Sequence, residues 1–319
     1  MSDKDQVVIF AGGTGGAKLA RGMLDVVGAE HLTVVANTGD DIEIYGGYVS
    51  PDPDLVSFWL ADRINERGWG LDGDTFKVMD GLRALGVEVW FNLGDQDLAI
   101  ALQRARRLRQ GARLTQAHAE LCAALGVGSR VLPMSDRPVR TRVLSAGRWW
   151  TLQEFMIRRK DDWRIDGVQF HGARGSGASP EVLAAIRAAG AIIIGPSNPV
   201  ISIGPILAIP EIRTALQETG APVVAVSPLV GGQVLKGPTA EFMRWRGVPV
   251  SAAGLAELYT GLIQGVVTDE QSDGQLPSLR TGLLMDGPGA RARLAGQTLE
   301  FARSLPAAHA GTRVSTRNR

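Results

Sequence analysis

Seven aspartates stand in loops near the ends of predicted strands, at positions 40, 41, 52, 54, 95, 97 and 136. Transfer of a phosphoryl group needs carboxylates to hold a divalent cation, because the cation neutralises charge on the moving phosphate. A further carboxylate can accept the proton of the attacking hydroxyl. Oxygen ligands favour magnesium, and the 4 histidines show no ligand spacing. Although a single aspartate is more often a solvated surface group, the set as a whole indicates magnesium-dependent chemistry on phosphate.

The glycine-rich segment 12–16, GGTGG, could supply the phosphate-binding half of such a site. Glycines tolerate positive φ and carry no Cβ, so their amides can converge on an anion. The helix predicted over residues 17–27 would point its positive end at the same place. Further hydrogen-bond donors are Thr14, Ser197, Asn198, Ser202 and Lys236. Close packing alone also explains a glycine-rich turn, and a proline-stiffened turn explains segment 195–206.

Two common nucleotide motifs are absent from this segment. A Walker A loop would need glycine in place of Ala17 and a hydroxyl in place of Leu19. A dinucleotide fingerprint started at Gly13 ends on Lys18, and the second predicted strand runs into Asn37 where an acidic residue is expected. The pattern therefore predicts a phosphate or nucleotide site of neither standard kind and disfavours a nicotinamide oxidoreductase.

The elements that must position these residues alternate as in an α/β protein. Apolar strands are predicted over residues 7–10, 32–36, 191–194 and 223–226, with a further strand at 281–284. Most of these strands open into loops rich in glycine, proline and serine, which a ligand crevice in a doubly wound sheet requires. The expected fold is a Rossmann-like doubly wound, mostly parallel sheet. Predicted helices cover residues 55–66, 75–85, 98–110, 115–125, 180–189 and 290–304.

We expect a single α/β domain over residues 1–306 that carries two insertions. Residues 55–128 form a helical insertion, and residues 139–178 form an antiparallel hairpin with a mobile loop. The hairpin strands are placed at 139–144 and 149–155, and the mobile loop at 161–177. The acidic segment 37–54 is long for a structureless connection, which favours a functional role. Residues 307–319 form a polar, basic tail that is expected to be flexible.

Composition excludes several classes of protein. A net charge of +1 gives no electrostatic reason to expect nucleic acid or an anionic membrane as partner. The single cysteine, Cys122, can form neither an intrachain disulfide nor a cysteine zinc site and is expected in the core. The N-terminus lacks an apolar signal region, and no apolar run approaches the ~18 residues of a membrane span, so we expect a cytoplasmic protein. An arginine-rich helical stretch is expected to be a solvated face; it contains Arg104, Arg106, Arg107, Arg109 and Arg113.

A series of short motifs, in order along residues 7–269, carries a family resemblance. They are GGTGG (12–16), NTGDD (37–41), SPDPD (50–54), LGDQD (93–97), LPMSD (132–136), GPSNPVISIGPI (195–206), VSPLVGG (226–232) and KGPT (236–239). The series resembles the CofD family, the 2-phospho-L-lactate transferases of coenzyme F-420 biosynthesis.

The resemblance implies a reaction. A guanosine diphosphate-linked 2-phospho acid would donate its phospho-acid group to the ribityl hydroxyl of the deazaflavin Fo and release GMP, with Mg²⁺ as helper. The acid is lactate in archaeal members and enolpyruvate in bacterial ones, giving F-420-0 or dehydro-F-420-0. The resemblance also implies a homodimer that acts on small molecules.

The resemblance implies site residues in four roles. The catalytic residues would be Asp40, Asp52 and Asp54. The metal would be held by Asp40, Asp41 and Asp52. The deazaflavin would contact Asp54, Asp95 and Gln96, and Gln96 departs from the family's usual arginine, so it loses the charge and the planar fork. The nucleotide phosphates would face Gly12, Gly13, Thr14, Gly15, Gly16, Lys18, Ser197, Asn198 and Ser202.

One reading from another class stays open at the level of sequence. Distant YvcK relatives share the glycine-rich start and an acidic loop, and they bind nucleotide sugars as regulators without transfer. The SPDPD segment, together with segment 195–206, favours the transferase, because a regulator needs no deazaflavin pocket. Trp59, Trp69 and Trp90 are candidates to stack on the deazaflavin ring, although core packing is the favoured role for each.

Overall fold

The structure, a computed structural model, describes residues 5–271 and 276–306, so the tail predicted at 307–319 lies outside the described residues. The strands are β1 (Val7–Ala11), β2 (Leu32–Ala36), β3 (Ile42–Ile44), β4 (Gly47–Val49), β5 (Arg130–Pro133), β6 (Arg140–Ser145), β7 (Arg148–Thr151), β8 (Gly167–His171), β9 (Ala191–Ile194), β10 (Val223–Val226), β11 (Leu229–Val230), β12 (Gln233–Val234), β13 (Gly265–Thr268) and β14 (Ser278–Arg280). The helices are α1 (Gly13–Val27), α2 (Pro51–Leu60), α3 (Lys77–Ala84), α4 (Asp95–Arg109), α5 (Leu114–Leu125), α6 (Leu152–Arg158), α7 (Ala173–Ser176), α8 (Pro180–Ala188), α9 (Gly204–Leu207), α10 (Pro210–Glu218), α11 (Thr239–Trp245), α12 (Ala252–Leu258) and α13 (Pro288–Ser304). None of these helices combines the length and the apolar character needed to cross a lipid bilayer.

A seven-stranded sheet, in the order β14-β13-β10-β9-β1-β2-β5, forms the centre of the fold. Every neighbouring pair in it is parallel. The predicted strands 32–36, 191–194 and 223–226 are confirmed. The predicted strand 281–284 is wrong, because β14 ends at Arg280 and the segment after it is irregular. The predicted parallel α/β architecture is confirmed.

Helices cover both faces of this sheet, as a doubly wound fold requires. Successive side chains of a strand point to opposite faces, and β1 follows this alternation. Val7, Ile9 and Ala11 join a core cluster that includes residues of α1, α2 and α13. Val8 and Phe10 join a second cluster, with residues of α8, α10 and α12. All five residues of β1 are fully or almost fully buried, which explains why the strand is a continuous apolar run.

The order of the strands reverses at β1. The chain places β2 on one side of β1 and β9 on the other. Ligands in open α/β sheets bind beyond the carboxyl ends of the strands at such a switch point. The loops that follow β1, β2 and β9 therefore enclose the expected crevice, and they contain the glycine-rich, NTGDD and PSNP segments.

The predicted hairpin excursion is a three-stranded antiparallel sheet, in the order β7-β6-β8. Its second strand was predicted to run from 149 to 155 but ends at Thr151. There Thr151 and Glu154 form a capping box, so the chain turns into α6 instead of continuing as a strand. The predicted mobile loop at 161–177 is also wrong, since it contributes β8 and α7.

The acidic segment 37–54 is not structureless. It contains the β3–β4 hairpin and then enters α2, which begins at Pro51 and ends at Leu60 instead of covering the predicted 55–66. Proline is favoured at the first helical position, because its fixed φ suits the helix and the missing N–H would have no partner there. Asp52 and Asp54 therefore lie in the first turn of a helix. In the structure the helices of this region begin at residue 51, four residues before the predicted start of the insertion at 55. They are α2 to α5.

Candidate active site

The carboxylate of Asp52 connects the ends of β1 and β2. Its Oδ1 accepts a hydrogen bond from the Gly13 amide at 2.6 Å, and its Oδ2 accepts one from Asn37 Nδ2 at 2.9 Å. The same Asn37 nitrogen donates to Asp40 Oδ1 at 2.9 Å. Asn37 is fully buried, so this amide holds Asp40 and Asp52 side by side at the switch point.

Three buried or partly buried carboxyls gather here, and we call Asp40, Asp41 and Asp52 the acidic cluster. Burial raises the pKa of Asp52 to about 6. Burial also raises the pKa of Asp40 well above its ordinary value, with the negative charges of Asp52 and Asp41 adding to the effect. Burial raises the pKa of Asp41 to about 7, although nearby Arg140 opposes the shift. The cluster thus carries a repulsion that a cation would relieve.

The acidic cluster fits a magnesium ion only in part. Asp41 accepts from Ser50 Oγ at 2.8 Å through Oδ1, while its buried Oδ2 has no hydrogen-bond partner in the structure as described. Across residues 5–271 and 276–306, no three acidic, histidine or cysteine side chains are arranged as a ready metal-binding group. The three predicted ligands therefore do not form one cage. Magnesium is commonly held by one or two carboxylates together with substrate phosphates, and the pair Asp40 and Asp52 suits that arrangement.

Helix α1 begins inside the glycine-rich segment, at Gly13, where the prediction began it at residue 17. Gly13 has a φ of 62°, which favours glycine, and a Cβ at Gly15 would overlap the carbonyl oxygen of Pro196. The Gly12 amide donates to Ser197 Oγ at 3.2 Å. The segment therefore packs closely on the loop after β9 and forms the first turn of α1, and its expected binding of phosphate stays a prediction.

The loop after β9 places its predicted phosphate ligands differently. Ser197 and Ser202 lie beside Gly12, whose added Cβ would come within 2.6 Å of Ser202 Cβ. The side-chain oxygen of Asn198 accepts from the amides of Val200 and Ile201 at 2.9 and 3.1 Å, so it closes the turn of its own loop. The two serines contact the glycine-rich segment at Gly12, whereas the oxygen of Asn198 is engaged within its own loop.

Asp54 lies apart from the acidic cluster. Residues two apart on a helix do not face the same side, so Asp52 and Asp54 diverge at the start of α2. Asp54 pairs with Arg104 of α4, which donates to both of its oxygens and also to the Tyr48 carbonyl oxygen at 2.9 Å. Arg104 is fully buried, so the prediction that it belongs to a solvated arginine face is wrong. Its burial is explained by the ion pair with Asp54, a residue distant in sequence.

A small polar network lies next to the Asp54–Arg104 pair. His118 Nδ1 is 4.0 Å from Asp54 Oδ1, and His118 Nε2 shares a hydrogen bond with Ser57 Oγ at 3.2 Å. Burial and the charge of Arg104 lower the pKa of His118 to about 3, so the ring is neutral near pH 7. Burial raises the pKa of Cys122 to about 11, and the thiol is buried in the core as predicted.

Two of the predicted acids cap helices. Asp95 accepts from the amides of Lys77 and Val78 at 3.1 and 3.0 Å, at the start of α3. Asp136 accepts from the Thr115 amide at 2.8 Å, at the start of α5. A carboxylate in this position satisfies free helix amides and complements the helix dipole. Both side chains therefore have a structural partner, and Asp95 has little capacity left for a deazaflavin.

The other residues of the LGDQD segment face different neighbours. Gln96 Oε1 accepts from Arg63 Nη2 at 3.4 Å, so a positive charge lies beside the position that is arginine in the resembled family. Burial raises the pKa of Asp97 to about 7, and the negative charges of Asp54 and Asp74 add to the effect. Asp97, rather than Asp95, is thus the acid of this segment that lies near Asp54.

A groove of about 280 Å³ opens beside the acidic cluster. Its lining includes Asp40, Asp41, Arg140, Gln153 and His171, the last three from the excursion that carries β6, α6 and β8. Gln153 Nε2 donates to Asp40 Oδ2 at 3.1 Å. A larger groove of about 660 Å³ has Asp136 in its lining but none of the residues that the family resemblance assigns to the site. The smaller groove therefore leads to the carboxyls that could act on a hydroxyl.

A sequence model of the family described as "2-phospho-L-lactate transferase CofD" matches residues 7–278. The chain belongs to the CofD family. It is 38% identical over 266 residues to the 2-phospho-L-lactate transferase of Methanosarcina mazei, a match that covers 83% of this chain and 87% of the relative. It is 37% identical over 317 residues to the phosphoenolpyruvate transferase of Streptomyces griseus, covering 95% of this chain and 100% of the relative.

Among solved structures, this CofD-family chain resembles a UPF0052 family protein from Bacillus halodurans. The TM-score is 0.62 with 17% identity, over 92% of this chain and 98% of that protein. At this identity the likeness concerns the fold. Family membership and fold together establish a transferase of the CofD type built on a mostly parallel α/β sheet.

Several residues of this CofD-family site were not among the predicted ones. Asn37 closes the predicted strand 32–36, so its place at the carboxyl end of a central strand could have marked it. Gln153 and Arg140 come from the excursion, for which no chemical role was predicted. Arg104 stood in a run of arginines without any signal of burial. All four residues take their place in the site through contacts with residues that are distant in the sequence.

Proposed function

We propose that the protein transfers a 2-phospho acid group, phospholactyl or phosphoenolpyruvyl, from a guanosine diphosphate-linked donor to the ribityl hydroxyl of Fo. The hydroxyl oxygen forms a bond to the phosphorus of the phospho acid, and the bond from that phosphorus to the bridging oxygen of GMP breaks. GMP leaves with the bonding electrons, and the hydroxyl proton passes to a carboxylate. The product is F-420-0 or its dehydro form, according to the acid.

The observation that carries this proposal is the acidic cluster at the N-terminus of α1, on the switch point of the sheet. The amide of Gly13 donates to Asp52, and Asn37 ties Asp52 to Asp40, so carboxyls and phosphate donors share one crevice. Phosphoryl transfer depends mainly on positioning and on stabilising negative charge, and it requires these two sets of groups together.

Each part of the crevice has a role in this proposal. The nucleotide phosphates lie against Gly12, Ser197 and Ser202 at the N-terminus of α1, whose partial positive charge favours anions. Asp40 and Asp52 would hold Mg²⁺, which would neutralise charge on the phosphate oxygens. The deazaflavin approaches from the groove beside the cluster.

Asp41 is the proton acceptor in this proposal. It lines the groove, and its Oδ2 is buried without a partner in the described residues. With a pKa of about 7 it can take a proton from a hydroxyl and is still ionised in a large fraction of molecules at neutral pH. Ser50 holds the other oxygen at 2.8 Å and so fixes the orientation of the carboxyl.

Incubation of the purified protein with Fo, Mg²⁺ and each of the two guanosine diphosphate-linked donors tests the proposal, with product mass measured by mass spectrometry. We expect product from at least one donor and a loss of turnover of about 100-fold or more in Asp41→Asn. Glu43→Gln is the matched control, because Glu43 lines the same groove but is exposed. Binding of GDP without product from either donor would refute the transferase and favour a nucleotide-binding regulator.

A further inference from the structure

Two positive side chains lie over the ring of Trp59. Lys18 belongs to α1, and Arg291 lies in the first turn of α13. The distance to the ring centroid is 5.6 Å for Lys18 Nζ and 5.1 Å for the guanidinium carbon of Arg291. Trp59 is only 8% exposed, and its indole N–H has no hydrogen-bond acceptor among the described residues. This arrangement also removes Trp59 from the candidates for stacking on a deazaflavin, because the cations occupy its surroundings.

The carboxylates of Asp286 and Asp62 are near enough to act on Lys18 and Arg291, but neither forms an ion pair with them among the described residues. In the described part of the chain, the side chains of Lys18 and Arg291 form no ion pair and no hydrogen bond, and Arg291 Nε is buried without an acceptor. The pKa of Lys18 is lowered by burial, with the charges of Arg291 and Lys236 adding to the effect and Asp286 opposing it. The nearby carboxylate of Asp62 is engaged by Arg21 at 2.7 and 2.8 Å.

Lys18 and Arg291 form a cationic patch that is continuous with the N-terminus of α1. Thr14 and Lys18 are four residues apart on the helix and therefore share a face. A Cβ at Gly68 would lie 3.8 Å from the Trp59 ring and 3.9 Å from Thr14 Cγ2, so the ring and the first turn of α1 border the same space. An anion seated there would also face the positive end of the helix dipole.

Arg291 is fixed in this place by its backbone. Helix α13 packs on α1 so closely that a Cβ at Gly22 would overlap the carbonyl oxygen of Arg291. The residue lies beyond the segment 7–278 that matches the family, so neither the motifs nor the family match pointed to it. This close backbone contact thus places the Arg291 guanidinium over the ring of Trp59, whose indole N–H is buried, beside α1.

We propose that Lys18, Arg291 and the indole N–H of Trp59 form a subsite for phosphate oxygens. Three donors of positive or polar character with no acceptor of their own match an oxyanion, and Arg and Lys are the usual partners of phosphate. The inference rests on the proposed function only for the identity of the nucleotide that brings the phosphate. The ligand chemistry is a diphosphate, which either the donor nucleotide or free pyrophosphate can supply.

The test is a titration of the full-length protein with pyrophosphate, followed by tryptophan fluorescence excited at the red edge, and a parallel calorimetric titration with GDP. Arg291→Gln is expected to raise the dissociation constant about tenfold or more, because one charged hydrogen bond to an anion is lost. The dependence of affinity on salt should weaken as well. In Trp59→Phe the fluorescence change on binding should disappear while the far-ultraviolet circular dichroism stays that of the wild type.

Arg293→Gln is the matched control on the same helix. Arg293 donates to Thr281 Oγ1 at 3.0 Å and to the Gly282 carbonyl oxygen at 2.8 Å, so its guanidinium already has hydrogen-bond acceptors. It should bind both ligands as the wild type does. If Arg291→Gln also binds both as tightly as the wild type, the subsite is refuted while the proposed transfer can still stand.

The ligands separate this inference from the proposed function. If the wild type binds pyrophosphate but not GDP, and Arg291→Gln loses that binding, the subsite stands and the guanosine-linked donor is refuted. If both ligands bind and Arg291→Gln weakens both, the subsite takes the nucleotide's diphosphate. If neither ligand binds the wild type, the subsite and the donor are both refuted.

Discussion

Replacing Arg104 by methionine should destabilise the protein strongly, and by an amount that depends on pH. Arg104 is fully buried and donates to both oxygens of Asp54, while methionine fills a similar volume without charge. Removing one partner of a buried pair leaves the other charge uncompensated, which typically costs 3–5 kcal/mol, so we expect a loss of about 4 kcal/mol at pH 8. Loss of the hydrogen bond to Tyr48 contributes to this figure.

The loss should shrink at pH 5. Burial already raises the pKa of Asp54, and Arg104 opposes that shift, so removing the arginine raises the pKa further. A carboxyl whose pKa is higher in the folded than in the unfolded state stabilises the protein at low pH, and this contribution is lost as pH rises. Protonated Asp54 carries no charge to compensate, and the double variant Arg104→Met with Asp54→Asn should recover more than about half of the loss at pH 8.

Urea unfolding followed by circular dichroism at both pH values measures these free energies. Arg106→Met is the control, because Arg106 is exposed on the same helix, and its effect should stay within about 0.5 kcal/mol. An equal loss at pH 5 and pH 8 would show that Arg104 stabilises by packing alone. Failure of the double variant to recover stability would lead to the same conclusion.

Three further outcomes follow from the site. Asp97 has a pKa of about 7, above its unfolded value, so stability falls as pH rises from about 4 to 7. Asp97→Asn should therefore be more stable than the wild type at pH 8, by on the order of 2 kcal/mol, and this difference should shrink steadily as pH falls through the same range, as urea midpoints would show. In Gly12→Ala the new Cβ would lie 2.6 Å from Ser202 Cβ, so GDP affinity by calorimetry should fall about tenfold or more. Ser50→Ala removes a hydrogen bond to the Asp41 carboxylate, so the acid limb of the pH–rate profile should move to higher pH, and an unmoved limb would exclude Asp41 as the base.

The central sheet was the most predictable part of the fold. Strands such as β9 and β10 are continuous apolar runs bounded by glycine, proline or serine, and a strand buried on both faces has this pattern. The predicted start of α2 was four residues late, because residues 53 and 54 were assigned to the cap although proline is well placed in the first turn of a helix. Strand β13 is as short as β9 and β10, but Gly265 and Thr268 leave it only two apolar residues, so it does not stand out as an apolar run.

The site was predictable where its residues follow central strands. The structure brings Asp40 and Asp52 together because the ends of β1 and β2 lie side by side, a consequence of the fold class. Arg104 could not be placed in the same way, since its burial depends on Asp54, fifty positions away. Arg291 likewise depends on how α13 packs against α1. The spacing of residues along the sequence does not predict contacts between segments that lie so far apart in the chain.

The contacts of β1 and α1 bear on how the chain is made. In the central sheet Val7 pairs with Leu32 on one side and with Ala191 on the other, and α1 packs against α13 near the end of the described chain. A nascent chain leaving the ribosome therefore exposes one edge of its first strand until more than half of the protein has been translated. Pairings so distant in sequence slow folding and leave apolar surface open to aggregation. The glycine-rich segment is among the first parts of the site to be synthesised and the last to be enclosed.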